Sequence, residues 1–142
     1  MNVDNLRELR EDLRMSQEDM GNLLNIKQST YSDYENNRSV IPLERLNIIS
    51  NKFNASLDYL VGLSRSNSDS FNHIEIDFIK IGNRLKEIRT LNNLTQEAVA
   101  KMLNTFHSRI SDYENGKRIT IPVLIEYSRV FNKSIDYLCL KK

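Results

Sequence analysis

One pattern is written twice along the chain. Leu6, Glu8, Arg10, Gln17, Glu18, Leu24, Asn25, Ser29, Ser32, Asp33, Tyr34, Glu35 and Asn36 recur 79 residues later as Leu85, Glu87, Arg89, Gln96, Glu97, Leu103, Asn104, Ser108, Ser111, Asp112, Tyr113, Glu114 and Asn115. A self-match of this quality constrains the architecture before any local propensity is weighed. The copies are too long and too few for a solenoid, so each is expected to close its own core. The expected division is repeat 1 over 1–63, a linker over 64–77 and repeat 2 over 78–142.

A unit of roughly 60 residues lies near the lower limit for a core without disulfides or metal. The lone Cys139 rules out an intramolecular disulfide and is expected to be a packed thiol matching Val61. No basic-then-apolar signal segment opens the chain and no apolar run is long enough to span a bilayer, so a cytoplasmic protein with no membrane partner is expected. The net charge of +1 conceals a split. Residues 1–63 carry seven Lys and Arg against ten Asp and Glu, and residues 64–78 carry one against three. Residues 79–142 carry twelve against six, a net +6 that suits a polyanion binder. Repeat 1 must rely on local placement of Lys27, Arg38 and Arg14.

The apolar spacing is helical in both copies. Leu6, Leu9 and Leu13 form a stripe, as do Phe78, Ile81, Leu85 and Ile88. Ser16 and Thr95 are hydroxyl N-caps, each followed by glutamine and glutamate at the positive end of the helix dipole. That second helix stops at Asn25 and Asn104, residues able to adopt the left-handed turn. A third helix spans about 28–36 and 107–115, with Asn37 and Gly116 as its C-terminal caps. A fourth carries Leu43, Leu46, Ile49 and Phe53, matched at offset 78 by Ile121, Leu124, Tyr127 and Phe131. A last capped turn follows at Ser56–Leu60 and Ser134–Leu138. Between the copies, a polar Ser/Asn/Asp stretch predicts a flexible linker, and the alternation over Ile74–Phe78 fits a short strand or an arm packed on one domain.

Gly21 and Ala100 provide the small residue needed where two helices cross, four residues ahead of the left-handed asparagine. Tyr31 with Tyr34, or Ile110 with Tyr113, can then lock the following helix over Met20, Leu24, Val99 and Leu103. Both copies fit a helix-turn-helix. Ser-Gln-Glu…Tyr-Glu-Asn-Asn-Arg and Thr-Gln-Glu…Tyr-Glu-Asn-Gly-Lys resemble the Cro and lambda-repressor-like, or XRE-type, regulators. The closing Asn-x-Ser-x-Asp-Tyr-Leu at 54–60 and 132–138 is similar to the end of that five-helix domain. The resemblance covers nearly all of both halves and implies an all-α fold of two tandem five-helix domains.

The resemblance also implies a site. In that family the third helix enters the major groove, which would aim Gln28, Ser29, Ser32 and Asp33 at base edges, and His107, Ser108, Arg109, Ser111 and Asp112 in the second copy. Gln28 has the donor and acceptor to match adenine, and His107 could donate to guanine. Asp33 and Asp112 could accept from cytosine, or instead cap or pair with a nearby base residue. Gln17 and Gln96 match the family's phosphate-contacting glutamine. Asn36, Arg38, Asn115, Lys117 and Arg118 follow the third helix and should also meet phosphate. Arg10 with Glu35, and Arg89 with Glu114, share one spacing and are expected to be ion pairs tying the first helix to the third. Lys27 and Phe106 depart from the usual Ser or Thr cap, and Thr105 replaces the apolar Ile26. Phe106 could touch a thymine methyl, but is expected to turn inward and replace the lost apolar contact.

The function these features imply is sequence-specific binding to double-stranded DNA as a transcriptional repressor, bacterial or phage-type and nucleoid-associated. The two heads would cover half-sites about 34 Å apart, and the extended linker reaches roughly 46–50 Å. A rival from another class makes the acidic repeat 1 a dimerisation or protein-interaction module, in the extreme an antirepressor or antitoxin-like protein. A homodimer or a protein partner through repeat 1 or the linker is left open. An enzyme is disfavoured, because His73 and His107 have no cysteine ligands or Gly-rich phosphate loop beside them. No cofactor, metal or small-molecule substrate is evident, and no effector domain is expected after Leu138.

Overall fold

The protein is described here by a computed structural model covering residues 1–67 and 70–142. Ser68 and Asp69, which belong to the expected flexible linker, lie outside the described residues. The described chain contains ten helices and no strand, in two compact units, Met1–Ser70 and Phe71–Lys142. Unit 1 holds α1 (Asp4–Asp12), α2 (Gln17–Leu24), α3 (Gln28–Glu35), α4 (Leu43–Phe53) and α5 (Leu57–Leu60). Unit 2 holds α6 (Phe78–Leu91), α7 (Gln96–Met102), α8 (His107–Glu114), α9 (Ile121–Phe131) and α10 (Ile135–Leu138). No described helix is long and apolar enough to cross a membrane.

Polar residues at the helix ends set these boundaries. Ser16 Oγ accepts from the Asp19 amide at 3.0 Å while Asp19 Oδ2 accepts from the Ser16 amide at 2.8 Å, a reciprocal capping box. Thr95 caps α7 through the Ala98 amide, and Ser56 and Ser134 cap the short last helices. Asn25, Asn54, Asn104 and Asn132 all sit at φ between 52° and 56°, where asparagine tolerates the left-handed turn better than other side chains. Each such asparagine redirects the chain after a helix, and the one at the end of α2 or α7 sets the angle at which the third helix begins.

Leu6, Met20, Tyr31, Ile41, Leu46, Ile49, Leu57 and Leu60 are fully buried in unit 1. Ile81, Leu85, Val99, Ile110, Leu124, Tyr127, Ile135 and Leu138 do the same in unit 2. Leu13 departs from the expected stripe: α1 ends at Asp12 and Leu13 is 40% exposed, because the chain turns there through Arg14 at φ 55°. Tyr31 and Ile49 of unit 1 correspond to Ile110 and Tyr127 of unit 2. The bulk that α8 lacks at Ile110 is supplied by α9, so a large ring sits beneath the third helix in both units. Volume-conserving exchange of this kind is what a close-packed core tolerates best.

The stretch between the units is shared out. The Asn67 side chain accepts from the Ser56 amide and donates to the Asn54 carbonyl, holding it to unit 1. The Asn72 amide donates to the Lys141 carbonyl at 2.7 Å, and Lys141 Nζ lies 4.8 Å from the Phe71 ring centroid. Ile74, Ile76 and Phe78 then line a groove against Cys139 and Leu140. Residues 72–77 are irregular and pack on unit 2, and Asp77 caps α6 by accepting from the Ile79 and Lys80 amides.

α6 has 14 residues and α1 has nine. In repeat register the extension runs through Gly82, which faces the end of α8. A Cβ there would lie 2.8 Å from the Glu114 carbonyl oxygen and nearer still to that of Tyr113. Gly82→Ala should therefore cost about 1–3 kcal/mol through backbone overpacking, despite alanine's better helix propensity. Urea unfolding of the full chain, with hydrogen exchange resolving unit 2, checks this; an unchanged or stabilised unit 2 would show that α6 can step back freely.

Candidate nucleic-acid interface

The third helix of each unit is fixed from below by a buried ion pair. Arg10 donates to both carboxylate oxygens of Glu35, Nε to Oε2 at 2.7 Å and Nη2 to Oε1 at 3.0 Å. Arg89 does the same to Glu114 at 2.7 and 2.9 Å. The remaining guanidinium nitrogen donates to the Met15 carbonyl at 3.0 Å in unit 1 and to the Leu94 carbonyl at 2.9 Å in unit 2. One side chain thus joins the first helix, the loop before the second and the end of the third. The Glu35 side chain is 0% exposed and that of Glu114 is 2% exposed. Burial is the largest single influence on Glu35 and opposes its charge, but the Arg10 hydrogen bonds and charge, together with the nearby Tyr31 and Gln17 side chains, outweigh it. The carboxyl consequently stays below its ordinary value.

Tyr31 and Tyr127 lie beside these pairs with buried hydroxyls that find no hydrogen bond of ordinary geometry among the described residues. Burial first, and then the nearby glutamate, pushes both phenols upward.

Anchored on one side, α3 and α8 turn the other outward. Gln28, Ser29 and Asn36 are exposed and Ser32 and Asp33 half-buried on α3; His107, Ser108, Arg109 and Asn115 are exposed and Ser111 and Asp112 half-buried on α8. The Asn36 amide donates to Ser32 Oγ at 3.1 Å and that of Asn115 to Ser111 Oγ at 3.3 Å. Each serine oxygen thus accepts one bond within its own helix, and its O–H can donate outward. Asp33 faces Arg38 at 3.9 Å and Asp112 faces Lys117 at 3.5 Å, so both carboxylates have a cation beside them. Arg118 lies over the Phe78 ring at 5.3 Å, and Gln17 and Gln96 are half-buried at the starts of α2 and α7.

Phe106 requires a correction. It is 76% exposed at the start of α8 and does not turn inward to replace Ile26. Its backbone is extended as N-cap, and neither it nor Lys27 makes a side-chain cap bond. The extended N-caps Ser16 and Thr95 turn their side chains back onto the helix by accepting from its amides, and a phenyl ring has no acceptor to do so.

A helix-turn-helix family profile matches residues 6–60 and 85–138, taking in both units. The chain belongs to the XRE-type helix-turn-helix family. Among solved structures, the restriction-modification controller protein C.AhdI from Aeromonas hydrophila is 24% identical, with a TM-score of 0.41, over 43% of this chain and 94% of that one. No curated protein matches the chain. An XRE-type helix-turn-helix chain is a DNA-binding transcription regulator, and the outward faces of α3 and α8 are its candidate contact surfaces.

Two features of this family member were missed from sequence. Arg7 adds a second cation to Glu35 at 3.5 Å and donates to its carbonyl at 3.1 Å, whereas its counterpart in unit 2 is Lys86. The i, i+4 spacing of Ser32 with Asn36 and Ser111 with Asn115, present in both copies, could have revealed the side-chain bond.

Arg89→Met should destabilise unit 2 by about 3–5 kcal/mol, because the buried Glu114 carboxylate loses its bidentate cation, and Arg10→Met should cost unit 1 less, because Arg7 remains 3.5 Å from Glu35. The Glu35 contribution should be fully present above the unfolded value of about 4.3 and be lost as pH falls through its depressed folded value. Unfolding of the two variants and of the parent chain between pH 7 and about pH 3 measures both effects. A loss below about 1 kcal/mol would mean that the pair behaves as solvated surface charge.

Proposed function

We propose that the protein is a sequence-specific repressor whose two units read two non-identical half-sites on duplex DNA. The observation that supports this is the paired construction of α3 and α8, each pinned underneath by a bidentate Arg–Glu pair and each presenting amide, hydroxyl or imidazole groups outward. Gln17 and Gln96, with Asn36, Arg38, Asn115, Lys117 and Arg118, would border those faces as phosphate contacts. Gln28, Ser29, Ser32 and Asp33 would address one half-site and His107, Ser108, Arg109, Ser111 and Asp112 the other. Asp33 and Asp112 serve in this reading to orient Arg38 and Lys117 more than to meet bases, since a carboxylate at the groove otherwise repels phosphate. Repression follows from occupancy of the DNA by both units.

The charge split favours a second reading, in which unit 2 alone binds DNA and unit 1 serves a protein partner or a second copy of the chain. Residues 1–63 carry an excess of three acidic charges, and Arg7, Arg10 and Arg38 are each already beside a carboxylate.

Selection of the full chain on randomised duplex at near-physiological salt separates the readings. The proposal expects two distinct half-sites at fixed spacing, with affinity falling steeply as salt rises. A single half-site, unaffected by Lys27→Glu with Arg38→Glu, would assign DNA to unit 2 alone. No enrichment would overturn DNA reading in both forms.

A further inference from the structure

In unit 2 a hydrogen-bond chain runs from the buried ion pair to the outward face of α8. Glu114 Oε1 accepts from Arg89 Nη2 at 2.9 Å and from Gln96 Nε2 at 3.1 Å. The other end of the same amide, Gln96 Oε1, meets His107 Nε2 at 2.8 Å. His107 is exposed at the first position of α8.

The polarity of this chain is decided at its buried end. An ionised carboxylate only accepts, so the nitrogen of the Gln96 amide must face Glu114 and its oxygen must face the imidazole. That oxygen carries no proton, so a hydrogen bond to it requires the proton on His107 Nε2. A neutral imidazole holds one proton between its two nitrogens, and the partner of one nitrogen fixes the state of the other. Nδ1 is therefore left with its lone pair.

Resting on the DNA-reading function above, we propose that His107 determines specificity as a hydrogen-bond acceptor, through Nδ1, for an exocyclic amino group in the major groove, with Gln96 as its positioning residue. The groove offers such donors on adenine N6 and cytosine N4, while guanine presents only acceptors at N7 and O6. The Arg89–Glu114 pair thus reaches the interface electrically: it sets the amide, the amide sets the tautomer, and the tautomer excludes guanine. Unit 1 has Gln28 in the same place, whose amide both donates and accepts. The two heads then differ in what their first α3 or α8 residue can recognise, and the acceptor role of His107 replaces the guanine contact that the resemblance implied for it.

Two measurements on the full chain test this. Imidazole 15N spectra at pH 8, where imidazole side chains are mostly neutral, should show His107 protonated at Nε2 and bare at Nδ1, and Gln96→Ala should give a mixture of tautomers. Binding to the selected duplex should weaken about 5- to 150-fold when one base pair of the unit 2 half-site is replaced by an analogue lacking the adenine N6 or cytosine N4 amino group. That penalty should vanish in His107→Ala and shrink in Gln96→Ala. An Nδ1-protonated ring in the parent chain overturns the proposal, as does a His107-dependent preference for guanine or a penalty that persists in His107→Ala. Failure to bind any duplex overturns the DNA-reading function and this proposal with it, whereas binding through unit 2 without the amino-group penalty overturns this proposal alone.

Discussion

Burying a guanidinium and a carboxylate is expensive, and two hydrophobic side chains in their place are often as stable or more so. What Arg10–Glu35 and Arg89–Glu114 supply is direction. A bidentate fork has one favourable geometry, and its third nitrogen is committed to the loop carbonyl of Met15 or Leu94. The first helix, the loop ahead of the second and the C-terminal end of the third are held in one arrangement. With α3 and α8 fixed from beneath, their N-terminal halves need no other buried polar anchor and are left to face outward.

Around that constraint the two units use different means to the same end. The large ring under the third helix comes from Tyr31 on α3 in one and from Tyr127 on α9 in the other. The first helix is tied to the end of the unit by Asn5, which donates to the Tyr59 and Ser64 carbonyls, and by Arg84, which donates to those of Tyr137 and Lys142. Unit 2 adds the long α6, seated on the end of α8 through Gly82. Divergence is therefore spread through core, termini and surface, and the charge split is one expression of it.

Much of this architecture was legible in the sequence because it rests on local chemistry that repeats. Hydroxyl caps, left-handed asparagines and apolar periods each act over four or five residues, and seeing them twice, at offset 79 and then 78, locates every helix. The Arg–Glu spacing was legible for the same reason. The exchange of Tyr31 and Tyr127 was not, because it joins α3 to α4 across a loop where the offset changes from 79 to 78. Phe106 was misjudged by hydrophobicity alone: it opens α8 with no side-chain cap bond to draw it back and stands exposed. The Gln96–His107 bond depends on how α7 and α8 meet, and no spacing along the chain reports that angle.

The central claim is that both pinned helices, α3 and α8, meet duplex DNA. Hydrogen exchange of the full chain, free and bound to its selected duplex, tests it most directly, since amides at the starts of the second and third helices line the proposed surface in each unit. The account predicts slowed exchange at the N-termini of α2 and α3 and of α7 and α8 alike. Slowing confined to α7 and α8 would contradict a two-headed reader.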